Sequence, residues 1–215
     1  MVRRYGLAVS AAAAGAVLLS ACSGGTVTGV ASTTSVSSST GASSSSTAAV
    51  PHSGAPKVTS PLPAKVLDGS PCDSALTSTQ LTHFLGQTAP PKPSTDALGT
   101  ACDWHNAGLN GSGFQISYQT KSQNGISLAY ESVKPTASRW VDLAPIQGYP
   151  AIGYVAPGVD PTDKLSCVIV VGVTDELAYS VVLTLSDESA AQHKDACMLG
   201  PDVADAVMTN LKARA

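Results

Sequence analysis

The chain has 215 residues, of which 13% are charged and 5% aromatic, and a net charge of −3; a typical soluble domain carries about 25% charge. The deficit lies in an apolar N-terminus and a long Ser/Thr/Ala/Gly stretch, and setting these aside leaves roughly 150 residues, one ordinary domain rather than two. The acidic balance excludes nucleic acid as a partner, because phosphate-backbone binding needs clustered Lys and Arg, and the lack of a second apolar run near ~20 residues excludes a polytopic membrane protein.

Residues 1–21 read as a secretory signal. Arg3 and Arg4 precede an apolar run from Gly6 to Leu19 that is short for a membrane span, and small residues follow. The segment ends Leu19-Ser20-Ala21-Cys22, which resembles the lipobox of bacterial lipoproteins. The resemblance implies cleavage after Ala21, a diacylglyceryl group on the Cys22 thiol and a further acyl chain, such as palmitate, on the new N-terminus. Two or more chains anchor stably where one holds only marginally. Cleavage removes Arg3 and Arg4 and no acid, leaving 10 basic against 15 acidic residues. The expected membrane partner is therefore engaged through lipid, on the extracytoplasmic face, and not through surface charge.

Residues 22–63 read as a tether. Between positions 23 and 63 there are 19 Ser or Thr and a single charge, Lys57. Without apolar periodicity such a stretch has no face to bury against its ordering entropy. Ser/Thr tracts with Pro also suit O-linked sugars.

From residue 64 to 215 the pattern is that of one globular domain. Thr77-Ser78-Thr79-Gln80 fits a capping box, which predicts a helix over 78–85 stopped by Gly86, after a turn at 71–75. Strands are expected at 102–105 and around Phe114, Ile116 and Tyr118, joined through a hairpin turn at Asn110-Gly111. Residues 126–133 lean toward a short helix, and 140–145 and 151–156 toward short strands. The clearest hairpin pairs 167–173 with 177–185 through Thr174-Asp175-Glu176. In its second arm Tyr179, Val181, Leu183 and Leu185 share one face, and Ala178, Ser180, Val182 and Thr184 the other. The continuous apolar first arm predicts a central strand covered on both sides. A short helical segment capped by Asp187 or Ser189 is expected to run to about Met198 and break at Gly200-Pro201-Asp202. A new helix then carries Val203, Val207, Met208 and Leu211 as a core stripe. The fold class is α+β, an antiparallel sheet with N- and C-terminal helices packed on it.

Four cysteines remain after Cys22: Cys72, Cys102, Cys167 and Cys197. In an exported chain they imply two disulfides and three possible connectivities. The separations of Cys72 from Cys102 and of Cys167 from Cys197 are both 30 residues, which favours local pairing that staples a terminal helix to the sheet. No close Cys-x-x-Cys pair supports a metal or redox centre. Ser70-Pro71-Cys72-Asp73, Leu85-Gly86, Cys102-Asp103-Trp104, Gly148-Tyr149-Pro150-Ala151 and Asp195-Ala196-Cys197 together resemble an uncharacterised actinobacterial lipoprotein family, a domain of unknown function with the same anchor, tether and four-cysteine domain. The resemblance covers roughly 65–213 and implies architecture and address, but no activity.

Catalytic signatures are missing. There is no His-x-His, His-Glu-x-x-His, Gly-x-Ser-x-Gly or phosphate-cradling glycine loop, and no cofactor or metal is expected. Asp160 and Asp163 in a Pro-bearing loop read as solvated acids. What remains is binding. Tyr149 and Tyr154, flanking a Gly148/Pro150/Gly153 segment, are the leading recognition residues; Tyr118 and the strand-borne His105 are further candidates, with Trp104 and Trp140 supporting them from beneath. The expectation is a non-catalytic, membrane-anchored module for a lipid, a glycan or an envelope protein. The alternatives are an accessory or sensor domain of a transporter or kinase, and an enzyme acting on cell-wall material. A deep apolar cavity favours the first, a flat apolar patch the second, and a cleft with converging His and carboxylates the third.

Overall fold

The computed structural model describes residues 49–108, 112–186 and 194–215. Signal, lipobox, the tether up to residue 48, the Asn110-Gly111 turn and the caps expected at Asp187 and Ser189 lie outside the described residues. Among the described residues seven strands form one antiparallel sheet. They are β1 (Lys92–Thr95), β2 (Gly99–His105), β3 (Gly113–Gln119), β4 (Arg139–Asp142), β5 (Ala151–Val155), β6 (Ser166–Gly172) and β7 (Ala178–Thr184). Their order is β1-β2-β3-β7-β6-β5-β4, so β7 is central, with Val181 opposite both Ile116 and Ile169.

Alternation along the strands sorts side chains onto two faces. One face presents Trp104, Ile116, Tyr118, Ile169, Val171, Tyr179 and Val181, each at most 1% exposed. Three helices pack on it. The first, α1 (Pro71–Ser74), replaces the expected turn; its Ser70 cap accepts a hydrogen bond from the Cys72 amide at 3.1 Å. The second, α2 (Ser78–Leu85), forms where expected. Its capping box is complete: the Gln80 amide donates to Thr77 Oγ1 at 3.2 Å and the Thr77 amide donates to Gln80 Oε1 at 2.8 Å. The third, α3 (Ala196–Ala213), lies over β6 and β7 and buries the expected stripe of Val203, Val207, Met208 and Leu211. The disulfides Cys72–Cys102 and Cys167–Cys197 tie α1 to β2 and α3 to β6, with Cα separations of 5.2 and 5.0 Å.

Several expectations are corrected. The break at Gly200-Pro201 does not occur, because one helix runs through both residues. Asp195 caps it, accepting from the Cys197 amide at 2.8 Å, and the Cys197 disulfide holds its first turn against the sheet. Gly200 serves close approach: a Cβ there would lie 2.6 Å from Ile169 Cγ1. The short helix expected within 126–133 is present, as a π-helical turn over Ala129–Val133, with the Lys134 amide bonded to the Ala129 carbonyl at 2.8 Å. The edge strand β1 was not anticipated, since Lys-Pro-Ser-Thr is exposed throughout and offers no apolar alternation. The packed body also begins before residue 64. Val58 is 4% exposed, its amide donates to Asp175 Oδ1 at 2.9 Å, and the Leu62 amide donates to the Val173 carbonyl at 3.2 Å.

Among the described residues no α-helix packs on the second face of the sheet. A smaller cluster of Ile126, Ala129, Ile152, Val170 and Ala178 covers one end, with Ala55, Tyr130, Trp140, Tyr154 and Val168 partly buried against it. Among the described residues no helix is long and apolar enough to cross a membrane.

Candidate functional site

The four aromatic and histidine candidates do not converge. Tyr118 is fully buried on the helix-covered face, its hydroxyl 3.0 Å from Ser74 Oγ. Burial pushes its pKa up, against the lowering effect of the Ser74 hydrogen bond and of Arg214. Tyr149 is 5% exposed in the same core. Its direction is set by a tight turn in which Ile146 and Tyr149 exchange backbone hydrogen bonds of 2.9 Å around Gln147 and Gly148, both at positive φ. The Gln147 amide group donates to the Asp205 carbonyl and Thr209 Oγ1 of α3 at 3.0 and 2.7 Å, so the turn is tied to the helix and Tyr149 packs inward. Neither ring is placed to meet a ligand. Trp104, 1% exposed, is packed as expected.

Tyr154 lies on the open face instead, with company that the sequence reading placed differently. Trp140 pairs across β4–β5 with Tyr154; their rings are nearly parallel, at 10° and 6.5 Å between centroids. Tyr130, from the π-turn, meets Trp140 edge-on at 5.2 Å. Trp140 Nε1 donates to Asp142 Oδ1 at 2.8 Å. The Lys134 ammonium lies 4.7 Å from the Tyr130 ring centroid and 5.0 Å from that of Trp140. Burial raises the pKa of both tyrosines, and the Asp142 charge adds to this at Tyr130. Trp140 is therefore a member of this cluster and not a support beneath it. The signal for Lys134 was present in the sequence, since Tyr130 and Lys134 are four apart on a helical turn.

His105 is exposed at the end of β2, on the open face, in a depression of about 170 Å³ shared with Asp103, Gln115, Val182 and Thr184. Gln115 Nε2 donates to Asp103 Oδ1 at 3.0 Å. The His105 carbonyl accepts from the Ala89 amide at 2.9 Å, but its imidazole makes no hydrogen bond among the described residues, so no nucleophile–base–carboxylate chain is assembled there. Among the described residues no group of three His, Cys, Asp or Glu could hold a metal ion.

A further feature lies apart from these candidates. A cleft of about 390 Å³ opens on the helix-covered side between the end of α2, the β3 start, the β7 end and the first turns of α3. That volume falls in the ~300–1,000 Å³ range of ligand pockets. Phe84, Leu85, Phe114, Leu183, Leu185, Leu199 and Val203 form its apolar walls. Phe84 and Phe114 meet edge-on at 6.4 Å, and Trp104 backs Phe114 at 5.8 Å. Polar groups, His83, Lys194 and Asp202 among them, stand around the apolar walls. Each wall residue reads from sequence as ordinary core. The lining comes from α2, β3, β7 and α3, elements far apart in the chain, so their meeting around one opening is a tertiary fact without a local signal.

Comparison with curated proteins and with solved structures returns no match. A family model described as "Protein of unknown function (DUF3558)" matches residues 17–210. That span contains all seven strands and both disulfides, and the chain belongs to the DUF3558 family.

Proposed function

We propose that the protein is an actinobacterial cell-envelope lipoprotein, cleaved after Ala21 and lipid-anchored at Cys22, whose extracytoplasmic domain binds a ligand with an apolar body and does not turn it over. The observation that carries this reading is the cleft between α2 and α3. Its walls are seven apolar side chains, with a few polar groups such as His83, Lys194 and Asp202 around them. Apolar walls with a few polar groups are the usual make-up of a small-molecule site. Of the ligand classes open to an envelope module, a lipid suits such walls better than a glycan, whose hydroxyls would lose water without gaining partners.

The test is native mass spectrometry of the full chain extracted from its host membranes. A lipid-range mass should travel with the protein and leave on denaturation. Leu199→Trp, which fills the cleft from α3, should lose at least nine-tenths of it while keeping both disulfides. Absence of any retained mass, or equal retention by Leu199→Trp, overturns the reading. The anchor is tested separately: Cys22→Ala should move the protein from the detergent phase to the aqueous phase with its domain folded.

A further inference from the structure

On the opposite face of the sheet from the cleft, we propose that Tyr130, Trp140 and Asp142 form a recognition site for alkylammonium groups, which Lys134 of the same chain fills when no ligand is bound. This goes beyond the lipid-binding cleft and does not depend on it.

The position of the cation is already marked. The Lys134 ammonium stands over two rings at 4.7 and 5.0 Å, within the ~6 Å reach over which a ring quadrupole attracts a cation. Among the described residues no carboxylate pairs with it as a salt bridge, so the rings are its close electrostatic partners. The rings also have neighbours that orient them. Trp140 is fixed on β4 by its Nε1 bond to Asp142 and by the parallel Tyr154 ring from β5. Tyr130 is braced edge-on against Trp140. Asp142, exposed beside the indole, adds a negative charge that its bond to Trp140 keeps in place.

Lys134 is exposed, and the stem leading to its ammonium is a flexible four-carbon chain. An exposed cation over an aromatic ring is weakly held, so a ligand cation displaces it at small cost. A quaternary or alkylated ammonium suits the rings better than lysine, because its charge is spread over methyl groups that lose less hydration on contact. An anionic or neutral headgroup gains nothing from the negative ring faces and the Asp142 carboxylate.

The experiment uses the full chain in an uncharged detergent. Tetramethylammonium chloride is titrated against sodium chloride at matched ionic strength, and tryptophan emission is read. Trp104 is buried and Trp140 half-exposed, so a ligand at this site reports through Trp140. A saturable change is expected in the wild type and none in Trp140→Phe. Lys134→Gln removes the internal competitor and should tighten the half-saturation roughly two- to fivefold. Glycerophosphocholine and glucosamine then distinguish a lipid headgroup from an amino sugar as the natural source. The proposal fails if tetramethylammonium acts no differently from sodium in both wild type and Lys134→Gln. It also fails if Lys134→Gln weakens binding, which makes the lysine a structural clamp. A response to neutral N-acetylglucosamine equal to that for glucosamine overturns it in favour of plain ring stacking.

Discussion

The two faces of the sheet are built from the same strands under the same alternation, yet they differ in chemistry. The covered face spends its large residues on packing: Trp104, Tyr118 and Tyr179 are all at most 1% exposed. Where those rings carry a hydroxyl it is bonded, Tyr179 to the Ala204 carbonyl at 2.7 Å and Tyr118 to Ser74. The open face buries small polar side chains, Ser117 and Ser180, in its middle and leaves its large rings, Tyr130, Trp140 and Tyr154, half-exposed at one end. An aromatic residue buried with its polar atom bonded contributes stability. One left half-exposed beside a lysine and an aspartate contributes less, and is free to meet a ligand.

The two tryptophans give the largest expected contrast. Trp104→Ala should cost ~3–5 kcal/mol, the usual range for truncating a buried aromatic, read as a shift of the chemical denaturation midpoint. Trp140→Ala should cost about 1 kcal/mol, as for a partly exposed position, and should abolish the tetramethylammonium response. Equal destabilisation by the two would dissolve the distinction between the faces.

Next in size are the fastenings of α3 to the covered face. Each 30-residue disulfide loop is worth about 3.5 kcal/mol in the chain-entropy model, so the double variant Cys167→Ala/Cys197→Ala should lower stability by ~2–4 kcal/mol. A second tie lies beside it. Arg139 on β4 holds Asp195 through two hydrogen bonds of 2.8 and 2.9 Å, at side-chain exposures of 25% and 17%. Burial pushes the Asp195 pKa up, but the Arg139 hydrogen bonds, the Cys197 amide and the charges of Arg139 and Lys164 outweigh it and leave it lowered. A depressed carboxylate pKa stabilises the fold above the unfolded value near 3.8 and loses that contribution as pH falls through the folded value. Arg139→Ala should therefore cost ~1–2 kcal/mol at pH 7, discounted for partial exposure. The difference from wild type should shrink below about pH 4. A difference that persists at pH 2 assigns the effect to lost packing of the Arg139 stem instead.

What could be read beforehand follows the same division. The covered face was legible because period two and apolar character coincide there, as in β7, and because the equal 30-residue separations of the cysteines favour the local pairing that the structure has. β1 was not legible, since its partner is supplied by β2 and not by its own pattern. The helix across Gly200-Pro201 was hidden because local punctuation argues for a break, while the contact with Ile169 that requires Gly200 is tertiary. The site residues divide similarly. Tyr149 and Tyr154 are five apart in a Gly/Pro-rich stretch and look equivalent. A turn tied to α3 by Gln147 sends Tyr149 into the core, whereas strand alternation leaves Tyr154 on the open face. The end of α2 at Gly86 was legible, but not the meeting of α2, β3, β7 and α3 that forms the cleft.

The most local test of the comparison sits on a single strand. Val181 and Val182 are adjacent on β7 and face opposite ways; Val181 is fully buried and Val182 half-exposed. Replacement by Thr keeps the shape and the β-branch and adds one hydroxyl, so strand propensity hardly changes. At 181 the hydroxyl enters the core between Ile116 and Ile169, where an unpaired polar group costs ~1–3 kcal/mol. At 182 it meets solvent and the Gln115 side of the open face, and the cost should stay within about 0.5 kcal/mol. Paired urea melts of Val181→Thr and Val182→Thr measure the difference directly. A loss at Val182→Thr as large as at Val181→Thr would mean that the open face is packed against a covering layer, and the aromatic cluster at its end would then be an interior contact instead of a recognition site.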